Sequence, residues 1–127
     1  MRNLIIALFI VCGLFSCGKT VELTGFDTNT WKEDPNGCKG DRLQMVNALK
    51  ENTDKLKGLS QAEIAKLLGK PDRNELYKRN QKFFEYQIAP DPSCNGQNSG
   101  PINYYLSIRF NATGLAKELL VYQESWN

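Results

Sequence analysis

The chain has 127 residues, 41% hydrophobic and 24% charged, with a formal net charge of +2 and no histidine. That size leaves no room for a large multidomain enzyme. Its lysines and arginines are dispersed, so no basic stripe argues for nucleic acid. The missing histidine removes the commonest general base, metal ligand and pH switch together.

Residues 1–16 read as a bacterial secretion signal. Arg2 supplies a short positive start, residues 4–11 are almost continuously apolar, and small residues follow. This apolar run is too short for a permanent bilayer span. Leu14, Phe15, Ser16 and Cys17 form the arrangement that lipoprotein signal peptidase recognises, with Cys17 as the acceptor of diacylglycerol. Cys12 follows Val11, which is not small, and so fits this role poorly. The alternative is a plain secretory signal whose cysteine is incidental. Two or three acyl chains would anchor the protein stably where one holds only marginally. Gly18 follows, with no aspartate to suggest retention in the inner membrane, so the expected location is the outer membrane.

Removal of the signal leaves roughly a hundred residues, enough for one small domain. In an exported chain the two cysteines left over, Cys38 and Cys94, are expected to form a disulfide. A metal site is the competing reading, and it lacks further cysteine or histidine ligands.

Residues 17–40 read as a lipidated N-terminus and tether arm. Asn29, Thr30 and the run Asp34, Pro35, Asn36, Gly37 are turn chemistry. Phe26 and Trp31 are too apolar to float freely, so the arm should lie against the domain with Cys38 pinning its end. Asp27, Asp34 and Asp41 lack the spacing of a calcium loop and read as solvated carboxylates.

The domain proper is expected over residues 41–127. A first helix is predicted over 41–57, capped by Asp41 with Gln44 at the capping-box position. Leu43, Val46, Leu49, Thr53 and Leu56 make its inward stripe. Gly58 ends it. A second helix follows within residues 59–72, the most informative run in the chain. Ser60 is the N-cap and Glu63 completes a capping box. Leu59 and Ile64 are placed for a hydrophobic staple, and Ile64, Leu67 and Leu68 form one stripe. Gly69 suits a left-handed position after the helix, and Pro71 prevents continuation.

Leu56, Gly58, Leu59, Ser60, Glu63, Ile64, Leu67, Leu68, Gly69 and Pro71 together resemble the second-helix signature of the SmpA/OmlA, or BamE-like, lipoprotein family. The likeness covers about residues 41–122 and is sharp only over 56–71. It implies a small α+β domain and an accessory role like that of the small lipoprotein subunit of the β-barrel assembly machinery.

Three strands are predicted after the helices. In residues 82–88, Phe84, Tyr86 and Ile88 share one face, with Phe83, Glu85 and Gln87 on the other. Residues 89–101 hold three prolines and Cys94 and read as a long loop, a kind that is often functional. Tyr104, Leu106, Ile108 and Phe110 alternate with Tyr105, Ser107 and Arg109. Residues 111–114 form a hairpin turn. Residues 115–123 favour a strand over a helix because the turn precedes them and Val121 and Tyr122 suit a sheet. Leu120 and Tyr122 then oppose Leu119 and Val121.

The expected fold is α+β, a two-helix hairpin packed on a three-stranded antiparallel meander in the order α-α-β-β-β. No nucleophile–base pair, phosphate loop or dinucleotide fingerprint is present, so a non-enzyme without cofactor or metal is expected, with no small-molecule substrate evident. Exposed aromatic residues on a sheet suit a protein interface. Phe83, Tyr104 and Tyr105 are the candidates, unless Trp31 of the arm covers some of them. The expected role is a scaffold or accessory subunit in outer-membrane assembly or maintenance, with the membrane and an envelope protein as partners. The alternative is a periplasmic or surface-exposed inhibitor of a hydrolase.

Overall fold

The computed structural model describes residues 21–77, 81–89, 94 and 102–125. Cys17, most of the 89–101 segment and the tail at Trp126 lie outside the described residues. The architecture is α+β, with helices α1 (Thr28–Lys32), α2 (Asp41–Gln44), α3 (Val46–Leu56) and α4 (Gln61–Leu68) on one face of a four-stranded sheet. The strands are β1 (Arg73–Tyr77), β2 (Gln81–Gln87), β3 (Ile102–Phe110) and β4 (Ala116–Ser125). They lie in the order β1-β2-β3-β4, each antiparallel to the next.

The expected helical hairpin and meander are therefore present in outline, with one more strand and two more short helices. The added strand, β1, reads Arg-Asn-Glu-Leu-Tyr. It is an edge strand whose described side chains stand exposed, Leu76 at 73%. With none of its described side chains buried, it lacks the apolar alternation by which strands are recognised.

The arm before Asp41 is part of the core. Leu23 and Phe26 are buried and Trp31 is fully so. Trp31 lies 5.2 Å from Phe26 and 6.4 Å from Tyr86, ring centre to ring centre, which puts it on the helical side of the sheet. Helix α1 starts at Asp27, whose carboxylate accepts from the amides of Asn29 and Thr30 and from the Thr30 hydroxyl. Those bonds, the Thr30 amide's first, hold the Asp27 carboxyl below the usual carboxylate range. Gly37 has φ +65°, and a Cβ there would lie 2.5 Å from the Ile88 carbonyl oxygen. Only glycine lets the arm approach β2 so closely.

The predicted single helix over 41–57 is two helices, broken at Met45, whose amide bonds the Arg42 and Leu43 carbonyls instead of continuing the α3 ladder. The break rotates α2. Arg42 turns inward at 2% exposure and Leu43, expected in the core stripe, turns out at 43%. Asp41 does not cap; Gly40 occupies that position without a side-chain bond. Asp34 takes the role instead, accepting from the Lys39 amide at 2.6 Å and the Arg42 amide at 3.0 Å. Fully buried, Asp34 is not the solvated carboxylate expected. Along α3, Asn52 is also buried, bridging the Ala48 carbonyl to the Thr24 backbone.

Helix α4 follows its sequence signals closely. The Ser60 hydroxyl accepts from the Glu63 amide at 3.2 Å, and the Glu63 carboxylate accepts from the Ser60 amide at 2.7 Å. Leu59, Ile64 and Leu68 are buried. Gly69 closes the helix at φ +81°, but ψ −173° takes it out of the left-handed helical region expected for it. That combination belongs to glycine alone. Ser60→Ala should lower stability by about 1 kcal/mol, measured as a shifted urea midpoint; an unmoved midpoint would mean the cap contributes nothing.

The hairpin joining β3 to β4 is pinned by Asn111. Its side chain accepts from the Thr113 amide and hydroxyl and from the Leu115 amide. Gly114, at φ +80°, supplies the turn's positive-φ residue. Leu106, Ile108, Phe110, Phe84, Tyr86 and Leu119 then pack under Leu49, Leu56, Ile64 and Leu68.

Candidate functional site

The helices cover one face of the sheet and, among the described residues, no helix packs on the other. Antiparallel register sets what that face displays, because residues paired across strands point the same way. Three rows result. Glu75, Phe83, Arg109 and Glu118 form the first; Arg73, Glu85, Ser107 and Leu120 the second; Gln87, Tyr105 and Tyr122 the third.

Both arginines of these rows are paired with carboxylates. Arg73 meets Glu85 at 3.1 Å, and Arg109 meets Glu118 at 3.0 Å. The Arg73 guanidinium also lies 5.7 Å from the Tyr105 ring centre, within cation–π range. Tyr105 and Tyr122 stack, ring centres 5.3 Å apart and planes 30° apart. Leu120 and Tyr122 remain about two-fifths exposed. Ser107 and Gln87 are buried although they belong to this face, being overshadowed by longer neighbours. The surface is therefore an amphipathic patch of fixed side chains on a rigid sheet.

The predicted binding residues do not all meet here. Tyr105 lies at the patch centre. Phe83 shares the face, but four residues along β2 separate it from the row of Tyr105, about 14 Å at 3.4 Å per residue, and it is half-buried. Tyr104 points the other way. It packs against the core cluster with Lys50 over its ring at 5.8 Å, and so takes no part in the patch. Tyr122 and Leu120 belong in its place; strand alternation already put them opposite Leu119 and Val121. Trp31, buried beneath the helices, covers none of these residues.

Cys38 and Cys94 are joined, with Cα atoms 5.5 Å apart. The bond ties the arm to the segment between β2 and β3, as expected for an oxidising compartment.

A shallow cleft of about 290 Å³ opens between α1, α4 and the turn before β1. Lys32 and Lys70 stand at it, with Arg42 and Asp72 among its walls. These last two are engaged with each other. Arg42 Nη1 donates to Asp72 Oδ2 at 2.6 Å and to the Gln87 carbonyl at 3.0 Å, while Nε donates to the Trp31 carbonyl at 3.0 Å. Asp72 further accepts from the Asn36 amide at 3.0 Å and the Gln87 amide at 2.7 Å. The guanidinium lies 4.9 Å from the Trp31 ring centre. This is a structural knot joining arm, helix and sheet, with its charges already satisfied. Nearby, the Tyr86 hydroxyl donates to the Gly69 carbonyl at 2.8 Å, and burial raises its pKa well above the usual phenol value. Such a group neither donates nor accepts a proton readily near neutral pH.

Among the described residues no group of three or more Cys, Asp or Glu is arranged to hold a metal ion. No helix among them is long and apolar enough to cross a membrane. The sheet patch is therefore the best-formed site. Compared with known proteins, the chain matches no family model, no curated protein and no solved structure.

Proposed function

We propose that the protein is a non-enzymatic, lipid-anchored component of the cell envelope, a scaffold or accessory subunit in outer-membrane assembly or maintenance. Cys17 would carry the anchor, and the patch around Tyr105, Leu120 and Tyr122 would meet a protein partner. The observation that carries this reading is the stacked Tyr105–Tyr122 pair on the sheet face opposite the helices. Aromatic side chains fixed on a rigid element lose little entropy on binding and dominate protein interfaces. The paired arginines around them lower the desolvation cost of covering the face. The absence of histidine and the satisfied walls of the cleft fit a binding role better than catalysis. The likeness of residues 56–71 to the SmpA/OmlA family supports the choice of outer-membrane assembly.

Crosslinking in intact membranes followed by purification tests the proposal. Barrel-assembly components should be recovered with the parent protein. Tyr122→Ala combined with Leu120→Ser should weaken that recovery roughly tenfold or more, as truncation at an interface centre does, while the domain stays folded by circular dichroism. Recovery of a single soluble hydrolase instead would overturn the scaffold role in favour of inhibition. Recovery unaffected by the double variant would move the interface elsewhere.

A further inference from the structure

The route by which the chain enters the fold constrains how the domain meets a membrane, given the anchor proposed above. Cys17 is four residues before Val21. Four residues reach at most about 14 Å even fully extended. Val21 packs against the core, and the segment after it runs antiparallel to α3: Lys55 Nζ donates to the Glu22 carbonyl at 3.4 Å and to the Thr24 hydroxyl at 2.9 Å, and Asn52 holds Thr24. The chain therefore enters beside the last turn of α3.

That turn belongs to one end of the molecule. The Gly58 amide donates to the Ala116 carbonyl at 2.7 Å, and the Ala116 amide to the Leu59 carbonyl at 2.8 Å. These bonds join the α3–α4 turn to the hairpin between β3 and β4. Lys57 and Lys117 flank the junction, both exposed, and Leu115 beside them is 39% exposed. Ala112 and Thr113 form an uncharged exposed tip. The acidic groups close by are Asp54, paired with Lys57 at 3.2 Å, Glu118, paired with Arg109 at 3.0 Å, Glu63, engaged with the Ser60 amide, and Glu22. The outer side of α3 is a second surface near the entry point, and it offers Asn47, Lys50, Glu51, Asp54 and Lys55 with no exposed large apolar residue. An exposed leucine with long lysines around it suits the headgroup boundary better, since lysine stems lie along apolar surface while their ammonium groups stay wet.

The geometry points to the end formed by the α3–α4 turn and the β3–β4 hairpin as the surface that rests on the bilayer, held there by the short leash to Cys17. The partner of this surface is the lipid surface itself. The strands then stand away from the membrane, and Tyr105 lies five residues up β3 from Phe110, about 17 Å at 3.4 Å per residue. The aromatic patch and the Cys38–Cys94 bond are thereby presented into the envelope, where a protein can reach them.

The full lipidated protein, isotope-labelled and placed in nanodiscs containing a gadolinium-chelate lipid, provides the test. Amide signals of residues 55–60 and 111–117 should lose most of their intensity, while those of residues 86–88 and 104–106 keep most of theirs. A second form carries twenty Gly and Ser residues inserted after Gly18. Its losses should fall and even out. The strongest losses at residues 104–106, or along residues 47–54, would overturn the orientation. So would an extended form indistinguishable from its parent, because the leash would then not set the pose. Mass spectrometry of the same sample separates the two readings: an unacylated Cys17 overturns the anchor and, with it, the orientation.

Discussion

Asp72→Ala should lower the stability of the domain by about 3–5 kcal/mol, the effect of removing one partner of a buried ion pair. Arg42 is 2% exposed and Asp72 9%. Without the carboxylate, the guanidinium would keep only the Trp31 and Gln87 carbonyls as acceptors, and its charge would stay out of water with no counterion. Asp72 also accepts from the Asn36 and Gln87 amides, so its loss strands two backbone donors as well. Arm, α2 and β2 meet at this one carboxylate, and the variant should loosen all three together. Urea unfolding gives the magnitude. The companion measurement is Arg42→Met with Asp72→Leu, which removes both charges and should recover part of the loss, as apolar replacement of buried pairs often does. A single variant within about 1 kcal/mol of the parent would mean that water reaches the pair and screens it, as at the surface.

The same pair shows where the sequence is legible and where it is not. Helix α4 is readable in its start, length and end because its determinants are local: Ser60, Glu63 and Gly69 act within one turn of themselves, though the ψ of Gly69 is not the one expected. Strands β2, β3 and β4 and the hairpin at Asn111 are readable for a related reason, since one buried face imposes alternation. What escapes notice depends on partners far away in the chain. Arg42 looks like an outward residue of a helix until Asp72, thirty residues on, draws it in. The break at Met45 turns Arg42 toward that bond and Leu43 outward, overriding the helical stripe. Asp34 reads as solvated because its donors, the Lys39 and Arg42 amides, become available only when the chain folds back on it. Strand β1 buries none of its described side chains and is held by ladder bonds to β2, which leave no trace in its composition. In the site, Tyr105 could be placed by parity alone. Its partner Tyr122 needed the register of β3 with β4, which the hairpin and the bulge at Arg109 and Phe110 set between them.

Breaking the Cys38–Cys94 bond should lower stability by about 4 kcal/mol in the chain-entropy picture, since it closes a loop of 56 residues. The argument concerns the unfolded chain first. Reduction frees the arm and the segment after β2 to separate, and folding must then bring them together again. The native side matters too. Gly37, next to Cys38, sits so close to the Ile88 carbonyl that no side chain fits. Cys94 Sγ in turn lies 3.8 Å from the Asn36 carbonyl. The bond therefore clamps a contact whose remaining forces are backbone packing and the Asp72–Asn36 hydrogen bond. Cys38→Ser and Cys94→Ser should each lower the melting temperature to the same extent, and the double variant should be no worse than either, because all three lose one and the same cross-link. Reductant should reproduce the shift in the parent and have no effect on the variants. Unequal single variants would show that one cysteine contributes packing of its own. A parent insensitive to reductant, with its bond shown by mass spectrometry to have opened, would mean that the Arg42–Asp72 pair and the buried Phe26 and Trp31 hold the arm in place without the cross-link.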